Sequence, residues 1–426
     1  MKTLFAFGKN GIEVSVPEGY ACRVLRSHTA AALGDVDSAL ARALDHPIGC
    51  EPLAVLAAGK RTAAISVCDI TRPAPNSVTL PPQLARLHAA GIPVEGVTIL
   101  IATGLHRIAT SAEIETIVGP EIASKYSVVG HDARDLAAHR PLGATRRGTP
   151  VHIDERFMAA DLRITLGFIE QHLMLGFSGG RKLVAPGLAA QETIKVIHSP
   201  RFMREPLATE GSIANNPLHA ELLEIARMAR HDFMLDVTLT QDREISGVFA
   251  GNPVKAHAAG VEFLEQTSRE TLPLPADVVI TSAAGYPLDL TFYQTVKGVT
   301  AAQHIAKPGG RILVLGACSE GMGSPEFAQF MRTLTGFQDF LDGIRETPVE
   351  VDQWQLEKLA LTGLKHELYF YIPGVAKEQL GCLAARTYSD LDEAVAAVLR
   401  GLENDAHVVL VPDGPYTYAR AMPAYA

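Results

Sequence analysis

A chain of 426 residues is too long for one ordinary hydrophobic core and implies two or three domains. Its 47% hydrophobic and 20% charged content is that of a soluble globular protein. The net charge of −9, with no lysine or arginine run, argues against a nucleic-acid partner.

The cysteines Cys22, Cys50, Cys68, Cys318 and Cys382 are scattered, with no Cys-x-x-Cys pair. Neither a zinc knuckle nor a disulfide framework is indicated, which fits a reducing compartment. The apolar start Met1 to Phe7 is too short for a signal peptide and breaks at Gly8-Lys9-Asn10, and no apolar stretch reaches membrane-spanning length. A cytoplasmic protein with no membrane partner is expected.

In chain order, residues 3–7 and 12–16 read as short strands around a Lys9-Asn10-Gly11 turn. Asp35 to Leu44 has helical spacing. Ala63 to Cys68 is a buried-strand run that stops at Asp69-Ile70-Thr71-Arg72-Pro73, where Pro73 and Pro75 forbid regular pairing. Pro81 to Ala90 reads as a helix with proline in its first turn. Val97 to Ala102 is a strand ending in Thr103-Gly104-Leu105-His106-Arg107, and Thr110 with Glu113 is a capping-box signature. Leu162 to Leu166 is a strand followed by Gly167 through His172. A helix spans Ala190 to Ile197, another Asn216 to Arg230, and a strand Phe233 to Thr240.

A proline-bearing, apolar-poor segment at Thr267 to Pro275 suggests a boundary, dividing the chain into residues 1–270 and 271–426. Beyond it the alternation resumes. Strands are expected at Asp277 to Thr281, Arg311 to Gly316, Glu367 to Tyr371 and Val408 to Val411, the last closing the fold. Helices are expected at Thr291 to Ala306, Gln353 to Leu361 and, capped by Ser389, up to Arg400. The expected fold is α/β: two domains with mostly parallel sheets and an active-site cleft between them.

Chemistry collects in the loops after these strands, where parallel sheets bind ligands. The first domain offers Asp69 and Arg72, then His106, then His172 and the loop Gly176-Phe177-Ser178-Gly179-Gly180-Arg181-Lys182. Three glycines let backbone approach a ligand closely, and the closing lysine is either a phosphate contact or a nucleophilic amine. It is not a Walker loop, because Leu183 follows the lysine. The second domain offers Tyr286 and, at a helix start, Tyr293, Gln294 and Lys297, spaced to share one face. That helix N-terminus adds favourable potential for an anion. Singly, each has an ordinary explanation: Asp69 pairing with Arg72 across a turn, His106 a loop polar residue, His198 sitting at a helix end, Lys297 on the surface, Trp354 in the core.

Jointly, Asp69-Ile70-Thr71-Arg72-Pro73, Ala102 through Arg107, His172 through Lys182, His198, and Tyr293 through Gly298 make the sequence resemble the nickel-dependent lactate racemases and related 2-hydroxyacid racemases and epimerases. The resemblance covers nearly the whole chain. It implies a nickel-pincer nucleotide, a pyridinium-3-thioamide-5-thiocarboxylic acid mononucleotide, covalently attached to Lys182. It implies His198 as the one protein ligand of the nickel, which Lys182 also holds through that group. It implies His106 and His172 as acid/base residues and Asp69, Arg72, Ser178 and Trp354 beside the cofactor. Arg72, Tyr293, Gln294 and Lys297 would hold a small 2-hydroxy acid. Cofactor-biosynthesis proteins would be needed for loading.

The residues suit that chemistry. Removing a proton from carbon beside a carboxylate builds a second negative charge, whereas removing a hydride leaves a neutral ketone. Two imidazoles, side chains whose unperturbed pKa lies near neutrality, can serve the hydroxyl in either enantiomer. A single histidine is a poor metal site unless a cofactor supplies other donors, and sulfur donors suit square-planar nickel. Two rival readings are a nucleotide-dependent dehydrogenase, for which no Gly-x-Gly-x-x-Gly follows a strand, and a non-catalytic carboxylate- or cofactor-binding protein on the same scaffold.

Overall fold

A computed structural model describes residues 1–72 and 74–422. Pro73, read above as part of a loop, lies outside the described residues. The chain divides into two compact units. One comprises Thr29–Ile197 and Glu205–Thr267, here the Lys182 unit. The other comprises Met1–His28, His198–Arg204 and Ser268–Ala426, here the His198 unit.

The Lys182 unit is built on a six-stranded sheet in the spatial order Ile245–Gly251, Phe233–Leu239, Leu162–Phe168, Ala63–Cys68, Val97–Ala102, Ser127–Gly130. All neighbours pair in parallel except the antiparallel edge pair 233–239 with 245–251. Ala63–Cys68 is buried at every position, as a central parallel strand covered on both faces must be. The next two strands of the sheet in chain order, 97–102 and 127–130, lie on one side of it, and the following one, 162–168, on the other. The order therefore reverses between the carboxyl ends of 63–68 and 162–168, a switch point that opens a crevice between the diverging loops.

The His198 unit has an all-parallel six-stranded sheet ordered Thr387–Tyr388, Glu367–Tyr371, Ala306–Leu315, Ala276–Ser282, His407–Val411, Ala21–Val24. Helix Phe292–Ala302 follows its central strand and buries Val296 and Val299 in the core beside Phe370. Its Phe292 packs against Phe327 of helix Pro325–Arg332, with ring centroids 6.0 Å apart.

Local expectations meet the structure with instructive differences. The Thr110–Glu113 capping box forms with both hydrogen bonds. The helix expected from Pro81 instead begins at Asn76, and Pro81 and Pro82 lie inside it. Asn76, Thr79, Leu80, Gln83, Leu84 and Leu87 form one buried face, and that burial outweighs the two amide hydrogen bonds the prolines forgo. The last long helix is capped by Asp390, not Ser389: its carboxylate accepts from the Glu393 amide at 2.9 Å. The strand at 407–411 does not close the fold, because Ala419–Ala421 follows and pairs with Glu270–Leu272.

Replacing Asp390 by Ala should cost about 1 kcal/mol of stability, whereas Ser389→Ala should stay within about 0.5 kcal/mol. Urea unfolding followed in the His198 unit checks this, and equal effects would contradict the cap assignment.

Candidate active site

The switch point of the Lys182 unit gathers the loop residues singled out from sequence. Asp69 follows strand 63–68 directly and is 8% exposed. Its Oδ2 accepts from His106 Nδ1 at 2.6 Å and its Oδ1 from the Thr71 hydroxyl at 2.7 Å. Burial alone would raise this carboxyl. The hydrogen bond and charge of His106, with Arg72 and Thr71, outweigh it and hold Asp69 below the ordinary carboxylate range. An ionised Asp69 fixes the His106 proton on Nδ1, so the neutral ring presents its Nε2 lone pair. Arg72 lies 3.6 Å from Glu170, which comes from the loop after strand 162–168. His172 sits in a two-residue hairpin strand pairing with Gly176–Phe177, and its Nδ1 accepts a long 3.4 Å bond from the Met174 amide.

The glycine loop is wound around a buried guanidinium. Arg181 is 2% exposed and donates to the carbonyls of Leu175 (3.1 Å), Phe177 (2.9 Å), Ser178 (3.3 Å) and Gly179 (3.4 Å), and to His257 Nε2 (2.7 Å). Gly179 has φ +81°, and a Cβ there would lie 2.2 Å from Asp236 Oδ2. The Ser178 hydroxyl donates to the Phe168 carbonyl and accepts from the Glu170 amide, both at 3.0 Å, so it ties the loop to the strand end. Gly104 N donates to Gly187 O at 3.0 Å, which fixes the His106 loop against the turn that follows Lys182.

Lys182 keeps some solvent contact, yet dense protein around it and then the Arg72 charge push its amine down to about 8. Cys68, by contrast, is pushed up to about 12 by burial. Asp236 is raised to about 7 by burial, although its Oδ2 accepts from the Gly180 amide at 2.8 Å. Sequence reading missed Glu170, Asp236 and His257. Each is a single polar residue without a local motif, and only the tertiary fold brings strand residue Asp236, helix residue His257 and loop residue Glu170 to the glycine loop.

In the His198 unit, His198 is 9% exposed and its ring packs on Trp354 at 4.6 Å between centroids. Trp354 Nε1 donates to the Tyr293 hydroxyl at 3.3 Å, and Gln355 Nε2 to the Tyr293 carbonyl at 2.7 Å. His198, Trp354 and Tyr293 thus form one connected group, with Gln294 and Lys297 further along the Tyr293 helix. The anion site expected at that helix start is not available to a ligand in its backbone. Phe292 and Tyr293 amides donate to Gly321 O and Met322 O at 2.9 and 3.1 Å, and the Gln294 amide to Thr291 Oγ1 at 3.4 Å. Binding there falls to side chains. Gln294 Oε1 is buried with no hydrogen-bond partner among the described residues, an acceptor awaiting a donor.

Two outcomes follow from the electrostatics. Labelling of Lys182 by an amine-reactive reagent, read by peptide mass spectrometry across pH, should rise with a midpoint near 8; a midpoint near 10 would contradict the burial argument. A raised Asp236 binds its proton in the folded state, so its stabilising contribution is complete below about pH 4 and is lost as pH rises through about 7. Asp236→Asn should therefore gain more in urea midpoint at pH 8 than at pH 5, and equal shifts at both would refute the assignment.

Comparison with known proteins agrees along the whole chain. The family model described as lactate racemase N-terminal domain matches residues 7–211, and that described as lactate racemase C-terminal domain matches residues 272–416. A relative named lactate racemase from Thermoanaerobacterium thermosaccharolyticum is 33% identical over 414 residues, 96% of either chain. Another of that name, from Lactiplantibacillus plantarum, is 34% identical over 377 residues, 88% of either chain. The solved lactate racemase apoprotein from Thermoanaerobacterium thermosaccharolyticum superposes with a TM-score of 0.89 at 30% identity, covering 99% of this chain and 100% of that one. A protein from Thermotoga maritima shares the fold at a TM-score of 0.65 and 16% identity, with 87% and 96% covered. This chain belongs to the lactate racemase family.

Proposed function

We propose that this protein is a racemase or epimerase of small 2-hydroxy acids that carries a nickel-pincer nucleotide on Lys182. Family membership supports the reaction class. The observation that carries the reading is one crevice holding a lysine amine lowered to about 8 beside an Asp69-held imidazole.

The residues fit such a cofactor. An amine near 8 is partly unprotonated at neutral pH and can form a covalent link, while the neighbouring Cys68 thiol stays protonated and does not compete. Among the described residues no group of three or more His, Cys, Asp or Glu could hold a metal ion, so a metal at His198 would take its remaining donors from the cofactor. When bound, that group supplies an electrophile able to take a hydride from C2 and give it back.

The chain's own residues do the rest. His106, its Nδ1 proton held by Asp69, takes the hydroxyl proton at Nε2 in one enantiomer. His172, when protonated, gives a proton to the oxygen and is left neutral. In the reverse direction the two exchange roles. Arg72 offers a planar fork to the carboxylate. Lys297 adds a point charge, and the Gln294 side-chain amide can donate to the substrate oxygen.

With cofactor-loaded protein and a single enantiomer of a 2-hydroxy acid such as lactate, chiral chromatography should show the opposite enantiomer forming. His106→Asn and His172→Asn should each lower the rate by about 100-fold or more in both directions. Retained racemisation in Lys182→Ala would overturn the reading.

A further inference from the structure

Helix Gln353–Gly363 carries Trp354, Glu357 and Lys358, three and four residues apart and therefore on one face. Each grips a different point of the short His198–Arg204 excursion. Trp354 lies against the His198 ring at 4.6 Å, tilted by 43°. Glu357 Oε1 accepts from Arg204 Nε at 2.7 Å, and the same guanidinium donates through Nη2 to the Leu341 carbonyl at 2.5 Å. Lys358 Nζ donates to the Met203 carbonyl at 2.8 Å. The helix is also tied to the one bearing Gln294 and Lys297, through the Tyr293 hydroxyl and carbonyl.

The Glu357 side chain is 0% exposed and Lys358 is 7% exposed. Burying two ionisable side chains is costly, and apolar residues of equal volume would often stabilise as well or better. What polar partners add is direction: an ion pair and a hydrogen bond to a defined carbonyl admit one placement of the excursion, where an apolar contact admits several. Neither residue has a part in the chemistry described above.

We propose that Glu357 and Lys358 are positioning residues which, with Trp354, form a three-point clamp that sets the orientation of the His198 imidazole. The geometry of the clamp stands by itself, while its consequence for nickel rests on the proposed role of His198. Residues that orient a metal ligand from outside its coordination sphere typically govern metal affinity by about 10–100-fold.

The sequence holds one tryptophan, so intrinsic fluorescence of the protein reads Trp354 alone. Trp354 is 5% exposed and should resist acrylamide quenching in the wild type. In Lys358→Met and Glu357→Gln, which keep the side-chain volume, the quenching constant should rise about twofold or more with a red-shifted emission, while the far-UV melt stays close to wild type, as expected of local opening. In cofactor-loaded protein both variants should lose nickel to a chelator about 10-fold faster. If Glu357→Gln does not fold, Lys358→Met decides alone. Unchanged quenching in folded Lys358→Met overturns the clamp. Raised quenching with nickel loss unchanged upholds the clamp and removes His198 from the metal.

Discussion

A guanidinium buried in the Lys182 unit, lowered to about 9 by desolvation and so still charged at neutral pH, is the constraint on which the site depends. Arg181 must have oxygens around it, and the loop from Leu175 to Gly179 supplies them by turning its carbonyls inward. That arrangement leaves the loop little freedom. Gly176 and Gly179 adopt positive φ, and a Cβ at either would lie 2.2 Å from a neighbouring oxygen. The residue after this peg is the lysine, so its backbone is held by the same loop, with its own amide donating to Gly179 O at 3.0 Å.

The same burial sorts the reactive groups around it. Desolvation disfavours every charged form, so it lowers the amine and raises the thiol and the Asp236 carboxyl. Of the two potential nucleophiles, only the lysine becomes more available near neutrality. Asp69 escapes this trend because it has His106, Arg72 and a threonine hydroxyl as partners. One crevice thus contains an ionised carboxylate for orienting an imidazole and a neutralised environment for the lysine, with the difference set by hydrogen bonds and by the sign of the neighbouring charges.

Much of this was legible in the chain. Ala63 to Cys68 and Val97 to Ala102 read as strands because continuous apolar runs are bounded by turn residues, and the polar residues just beyond them became the candidates Asp69 and His106. The hairpin at 139–154 and the strand at 127–130 were not legible, because half-exposed short strands lack a clear period. Sequence alone starts helix 76–89 late, at Pro81 and not at Asn76, because proline penalties are local whereas the buried face that offsets them is tertiary. His198 shows the limit most plainly. Its seven-residue excursion into a different unit from its sequence neighbours has no compositional mark. What holds it, Glu357 and Lys358, lies more than a hundred residues away in sequence, as charged residues that a helical wheel would place in solvent.

Intact-protein mass spectrometry after coexpression with cofactor-making enzymes tests whether Lys182 carries a covalent nucleotide. The expected result is a single added mononucleotide mass, mapped by peptide fragmentation to Lys182 and absent from Lys182→Ala. Racemase activity in protein that carries no adduct, or an adduct mapped to another residue, would contradict it.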